Sequence, residues 1–280
     1  MVMEPKKYEN YKKLAARIRA HAVMMTNLRH SGHIGSSLSM ADILVVLFER
    51  VLHLDPQNPN WSERDRFILS KGHASAGVYA VMAEKGFFPK SWLKTYYCDG
   101  GKLCGHISHH VPGVEFSTGS LGHGLPVGVG MALSAKYKRA KHRVFVLMSD
   151  GECNEGSTWE AIMFAAQHKL DNLVAIVDYN KIQALGKTSE IINLEPFARK
   201  VEDFGWAVKE INGHNFEQIE QALLKIPIEN NKPSFFIAHT VKGKGIGFLE
   251  NTVASHYKCV PDEKLSEVYK ELGVEYEKDI

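Results

Sequence analysis

Three short runs of continuous apolar residues, at 144–148, 173–177 and 235–238, constrain this chain more than any other feature. Each is strand-length, rich in Val, Ile, Leu or Phe, and free of polar alternation. That pattern predicts parallel strands buried on both faces. Phe67-Ile68-Leu69, after Asp65, predicts another strand, and a weaker one spans 206–211. Helical stretches at about 155–169, 194–204 and 215–225 fall between the runs. Strand and helix in alternation predict an α/β fold, a parallel sheet flanked by helices on both faces, with right-handed crossovers.

Upstream, Leu14, Ile18, Ala22 and Met25 recur at helical spacing within a helix from about 10 to 29. Ser39 reads as the N-cap of a helix running from Ala41 to Val51. Residues 74–85 and 122–141 read as two more helices. Residues 98–120 lack periodicity and are rich in Gly and His, as a functional loop is. With no repeat, low-complexity tract or linker, residues 1–280 read as a single domain. A C-terminal tail after about residue 260 is expected to pack on a neighbour.

Composition excludes several function classes. The 34 Lys and Arg residues against 32 Asp and Glu leave a formal charge of +2 without a basic block, so no nucleic-acid surface is expected. No apolar run approaches the roughly 20 residues of a membrane span. No apolar leader follows a basic N-terminus. A soluble, cytoplasmic protein is the expectation. Cys98, Cys104 and His106 invite a zinc reading, but the spacing is not that of a finger or ribbon, and no second cysteine pair closes a site.

In open parallel sheets, ligands gather at the carboxyl ends of the strands. Here each polar cluster follows a strand: His73, then Asp150, then Asp178 and Asn180, then the 242–247 loop. Asp150 opens Asp150-Gly151-Glu152-Cys153-Asn154-Glu155-Gly156, and Asn180 stands thirty residues on. Both end adjacent strands, so both side chains can face one point. A carboxylate and an amide carbonyl are hard oxygen ligands, suited to Mg²⁺, with Ca²⁺ or Mn²⁺ as alternatives, sharing its shell with a diphosphate. Gly151 allows close backbone approach to a phosphate, and the following helix N-terminus favours negative charge. No phosphate-loop or dinucleotide-binding glycine pattern competes with this reading.

The Asp-Gly turn with its distant Asn resembles the thiamine diphosphate signature, with Ser149 in place of the usual first glycine. The histidine motifs resemble those of transketolases. They are Ser31-Gly32-His33-Ile34-Gly35, Ser70-Lys71-Gly72-His73, Gly105-His106, Thr118-Gly119-Ser120-Leu121-Gly122-His123-Gly124 and Ala254-Ser255-His256. They occur in the family's order over nearly the whole chain. The resemblance implies that His33 and His256 bind substrate and stabilise charge during its cleavage. It puts His73 and His106 against the cofactor and the substrate's terminal hydroxyl, with His73 and His256 also binding cofactor. Gly119, Ser120 and Leu121 would line the cofactor. Gly151 and Glu155 would sit near the diphosphate and the subunit interface. Asp150, Asn180 and the carbonyl of Ile182 would hold the metal. Ile107, the His109-His110 pair and His123 depart from the family pattern and bear on the sugar bound. His214 has no assignment.

The family's pyrimidine-binding half, with the glutamate that activates the cofactor, has no counterpart here, since nothing plausible follows Lys278. The resemblance therefore implies a separately encoded C-terminal transketolase subunit, joined to this chain in a heterotetramer of two plus two. It implies transfer of a two-carbon ketol unit from a ketose or its phosphate to an aldose or its phosphate. The rival readings are a component of a 2-oxo-acid dehydrogenase or deoxyxylulose-phosphate synthase, and a non-catalytic cofactor-binding protein.

Overall fold

The computed structural model describes residues 4–275. In chain order the helices are α1 (Glu4–Leu28), α2 (Ile34–Ser39), α3 (Ala41–Val46), α4 (Ser75–Glu84), α5 (Gly124–Lys138) and α6 (Gly156–Gln167). There follow α7 (Thr188–Ile191), α8 (Phe197–Asp203), α9 (Phe216–Leu223), α10 (Ala254–Tyr257) and α11 (Leu265–Leu272). The strands are β1 (Arg66–Leu69), β2 (Val144–Ser149), β3 (Leu173–Tyr179), β4 (Ala207–Asn212) and β5 (Ser234–His239). They form one sheet in the order β1-β2-β3-β5-β4, with every pairing parallel.

Why the central strands read as unbroken apolar runs is visible in their packing. Successive side chains of a strand point to opposite faces. Val144, Val146 and Met148 pack with α5, α6 and α8 through Leu125, Val129, Ile162 and Phe197. Phe145 and Leu147 pack on the other face, with residues of α1 to α4. Both faces are covered, so neither set is polar. β4 is an edge strand, with buried and exposed positions mixed, and its sequence signal is weaker for that reason.

One expectation needs correction. Ser39 does not cap a helix. It closes α2, and Met40 separates α2 from α3, which passes into a π-turn at Leu47–Val51. The Ser39 hydroxyl instead donates to Asp178 at 2.5 Å. Over its described part, the segment after residue 260 packs on the chain itself. Val260 and Val268 are buried in the chain's own core, and α11 lies on α1, with Tyr269 Oη donating to the Ala20 carbonyl at 3.2 Å. Residues 276–280 lie outside the described residues.

Among the described residues no helix is long and apolar enough to cross a membrane.

Candidate active site

The register places Ser149, Asp178 and Ala238 side by side at the carboxyl ends of β2, β3 and β5. Just beyond them the chain turns, and a cavity of about 320 Å³ opens. Its wall includes His33, His73, His106 and His256, together with Asp150, Asn180 and Ile182. Gly119, Leu121 and Gly151 also line it. Residues from distant segments therefore meet as the sequence motifs required. Ser120 and Glu155 do not line the cavity and are exposed. Glu155 instead packs behind the loop, where a Cβ on Gly122 would meet its side chain at 2.7 Å.

One wall is built from strand ends. Asp150 accepts hydrogen bonds from the backbone of Gly151 at 2.8 Å and of Lys181 at 2.7 Å, and from the Thr188 hydroxyl at 3.2 Å. Burial pushes its carboxyl up, and the neighbouring Asp178 adds to the rise. A cation at this point would relieve that cost by favouring the charged form. Asn180 donates to Asp178 at 3.2 Å, which leaves its carbonyl oxygen on the Ile182 N–H side at 3.2 Å. The Asp150 carboxylate, the Asn180 amide oxygen and the Ile182 carbonyl line one cavity, and hard oxygens of this kind suit a small divalent cation. Across the cavity floor, a Cβ on Gly151 would meet only Gln183 at ordinary contact distance, 3.5 Å. None of the described residues would clash with a Cβ there, so room above that backbone suits an approaching phosphate.

Beneath this wall runs a fully buried ion pair. Lys71 and Asp178 are both 0% exposed and in contact. Lys71 also donates to the Ser36 carbonyl at 3.1 Å, and the Thr240 hydroxyl donates to Asp178. Burial alone would raise the Asp178 carboxyl, but the Lys71 ammonium and these donors hold it below its ordinary value. Glu152 is a second buried anchor, accepting from Ser70, from the Ser149 N–H at 2.9 Å and from the Gly122 N–H at 3.1 Å. It ties the ends of β1 and β2 to the loop before α5.

The opposite wall is built from histidines on loops and short helical segments. The His33 ring lies 5.1 Å from His73, 5.9 Å from His106 and 5.0 Å from His256, centroid to centroid. His33 sits in the left-handed region at φ 69°, a conformation that costs a non-glycine residue about 1–2 kcal/mol. The conformation is held by its N–H, which donates to the His256 carbonyl at 2.7 Å. Gly32 allows this approach, because a Cβ there would lie 2.9 Å from the same carbonyl oxygen. Burial lowers His33, helped by His106 and Lys242, and lowers His73 strongly, helped by His33 and Lys71. Burial, with Lys242 and His33, brings His256 to about 4. These three rings are neutral near pH 7, able to accept a proton or donate a hydrogen bond.

Lys242 joins the two walls, although in the sequence it reads only as part of a basic edge loop. It is 1% exposed. Its ammonium donates to the Ile182 carbonyl at 2.8 Å and lies 3.2 Å from His256 Nδ1. Burial lowers it to about 8. Ser36 also reaches the cavity, with no sequence signal of its own to mark it. The zinc reading finds no support in geometry. Cys104 is exposed and Cys98 half-buried, while His106 turns away into the cavity.

A pocket at strand ends, with carboxylate and carbonyl oxygens on one side and imidazoles on the other, defines the class as an α/β protein with a site suited to an anionic group. Comparison with known proteins narrows the class. Residues 10–280 match the family model "Transketolase, thiamine diphosphate binding domain". The chain is 43% identical over 267 residues to an apulose-4-phosphate transketolase subunit of Actinobacillus succinogenes, covering 95% of this chain and 96% of the relative. It is 42% identical to a 6-deoxy-6-sulfo-D-fructose transketolase subunit of a Clostridium species, covering 87% of this chain and 89% of the relative. Its fold matches the crystal structure of Campylobacter jejuni transketolase with a TM-score of 0.90 at 34% identity, covering 95% of this chain but 43% of that one. The chain belongs to the transketolase family, corresponding to its N-terminal, thiamine diphosphate-binding portion. The match favours this assignment over a component of a 2-oxo-acid dehydrogenase or deoxyxylulose-phosphate synthase.

Proposed function

We propose that this chain is the N-terminal subunit of a split transketolase, which transfers a two-carbon ketol unit from a ketose to an aldose only when joined by a C-terminal subunit. The observation that carries the reading is one cavity holding the oxygen set of Asp150, Asn180 and Ile182 opposite four histidines. Asp150, Asn180 and the Ile182 carbonyl would hold Mg²⁺, and Gly151 and Lys242 would face the diphosphate. Gly119, Ser120 and Leu121 would flank the cofactor, Ser120 from the exposed rim, and Glu155 would act at the subunit interface rather than in the cavity. When bound, thiamine diphosphate supplies the electron sink for cleavage of the ketose. His33 and His256 would hold the substrate carbonyl and stabilise developing negative charge on its oxygen. His73 and His106 would move protons at the substrate hydroxyls, as imidazoles can near pH 7.

The partner reading is supported by two relatives of nearly the same extent whose names call them subunits. Their names also carry a sugar phosphate and a sulfo-sugar, which supports an anionic ketose as donor. A heterotetramer of two plus two, in the cytoplasm, is the assembly we propose, by the usual preference for closed symmetry. Residues 1–280 are taken as one domain of that assembly.

The test is to mix the chain with a C-terminal transketolase subunit, thiamine diphosphate and Mg²⁺, and to measure ketol transfer from a ketose phosphate to an aldose phosphate. Activity in the mixture and none in either part is the expected result. An active homomer of this chain on size exclusion would overturn the split reading.

A further inference from the structure

His214 does not line the cavity, yet it grips the residue next to Lys242. It sits between β4 and α9, on the turn Gly213-His214. Its Nε2 lies 2.9 Å from the Val241 backbone nitrogen, and its Nδ1 lies 2.7 Å from Asp42 Oδ2. The Val241 N–H can only donate, so Nε2 must be the unprotonated nitrogen. Nδ1 then carries the hydrogen and donates to the carboxylate. The two contacts together fix one neutral tautomer.

Asp42 is itself held. Arg19 on α1 donates to both its oxygens, at 3.0 and 2.7 Å, and to the Leu38 carbonyl at 3.2 Å. Burial pushes the Asp42 carboxyl up, but Arg19 and the hydrogen bond from His214 hold it below its ordinary value. The Arg19 stem also lies under the same loop, where a Cβ on Gly245 would meet Arg19 Cδ at 3.2 Å. On the other side, the Gly213 N–H donates to the His239 carbonyl at 2.9 Å. A Cβ on Gly213 would strike Thr240 at 2.4 Å, so the turn carrying His214 lies directly on the backbone that leads to Val241.

We infer that His214 is a positioning residue: through Val241 it fixes the backbone from which Lys242 reaches into the cavity. The inference rests on the proposed function for its consequence, but the grip itself is a property of the free chain. A lysine side chain has about 2 kcal/mol of rotamer entropy, so burying its ammonium at one point requires a fixed Cα. Misplacement of a binding group by about 1 Å can cost a hundredfold. The chain Arg19–Asp42–His214–Val241 supplies that fixity from α1, a helix that places no residue in the cavity wall.

The test compares the full chain with His214→Leu and His214→Gln. Glutamine keeps one donor and one acceptor on a planar group, while leucine keeps neither. Hydrogen exchange in the free chain reads the Val241 amide, and trace acylation with mass spectrometry reads Lys242. His214→Leu should speed Val241 exchange and Lys242 labelling by roughly tenfold, the worth of one net hydrogen bond to a part-buried donor. His214→Gln should restore both, with exchange in β2 and β3 unchanged throughout. A uniform rise across the sheet, or no change at Val241 and Lys242, overturns the inference. Titration of thiamine diphosphate and Mg²⁺ into each variant, with the C-terminal subunit present, separates this from the function. If wild type binds and His214→Leu binds equally well, the positioning role fails. If wild type does not bind, the proposed function fails, and exchange and labelling still decide the grip.

Discussion

The two walls of the cavity are built on different principles. The strand-end wall is a hydrogen-bonded lattice, in which Asp150, Asn180, Asp178, Lys71 and Glu152 each have named partners and are buried. The histidine wall is a cluster of rings whose centroids lie 5.0–5.9 Å apart in the contacts described, carried by loops and short helices, one of them in a left-handed backbone state. The first is suited to holding a fixed charge distribution. The second is suited to moving protons, because its imidazole rings lie close together. On the proposed reading, one wall binds and the other moves protons, and Lys242 touches both.

That contrast can be broken most severely at the histidines. With a C-terminal subunit supplied, His33→Ala should lower kcat/KM by roughly 10²- to 10³-fold, the usual cost of losing one donor to a developing oxyanion. The Kd for thiamine diphosphate and Mg²⁺, from calorimetry, should stay within about threefold of wild type, well under the tenfold that 1.4 kcal/mol represents. A matching loss in Kd would mean the walls are not separate. Lys71→Met tests the other wall. It leaves Asp178 buried without its cation and should cost about 3–5 kcal/mol of stability, read from denaturant unfolding. Adding Asp178→Leu should recover much of that stability without recovering cofactor affinity. Recovery of both would reduce the pair to a packing element.

A smaller effect comes from pH. His33 and His73 lie below the ordinary histidine value, and His256 falls from 6.5 to about 4. A lowered folded pKa means that the unfolded chain binds more protons in that window. The contribution to stability is therefore present above pH 6.5 and is lost as pH falls toward 4. The thermal midpoint should decline over that interval, and His256→Asn should flatten the decline. A slope unchanged by the substitution would place the titration elsewhere.

How far the sequence discloses all this depends on the wall. β2, β3 and β5 are legible because they are buried on both faces and so lack polar alternation. The histidines of the cavity are legible because most stand in glycine-marked motifs. Lys71 is not, although it stands two residues before His73, because a lysine next to a motif reads as a solvated charge until its partner, 107 residues away, is known. Glu152 is hidden likewise, since its partners come from three segments. Ser39 misleads because serine before an apolar helix is the local signature of a cap, and only the fold shows Asp178 waiting for its hydroxyl. Local pattern reveals elements and motif residues. The burial of an isolated charge is decided by distant chain.

The most direct measurement is calorimetric titration of thiamine diphosphate with Mg²⁺ into the chain, with and without a C-terminal subunit, for wild type and Asp150→Ala. The cofactor-site reading requires metal-dependent binding that is tight only with the partner and is lost in Asp150→Ala. Absence of metal-dependent binding in the wild-type complex, or equal binding by Asp150→Ala, would contradict it.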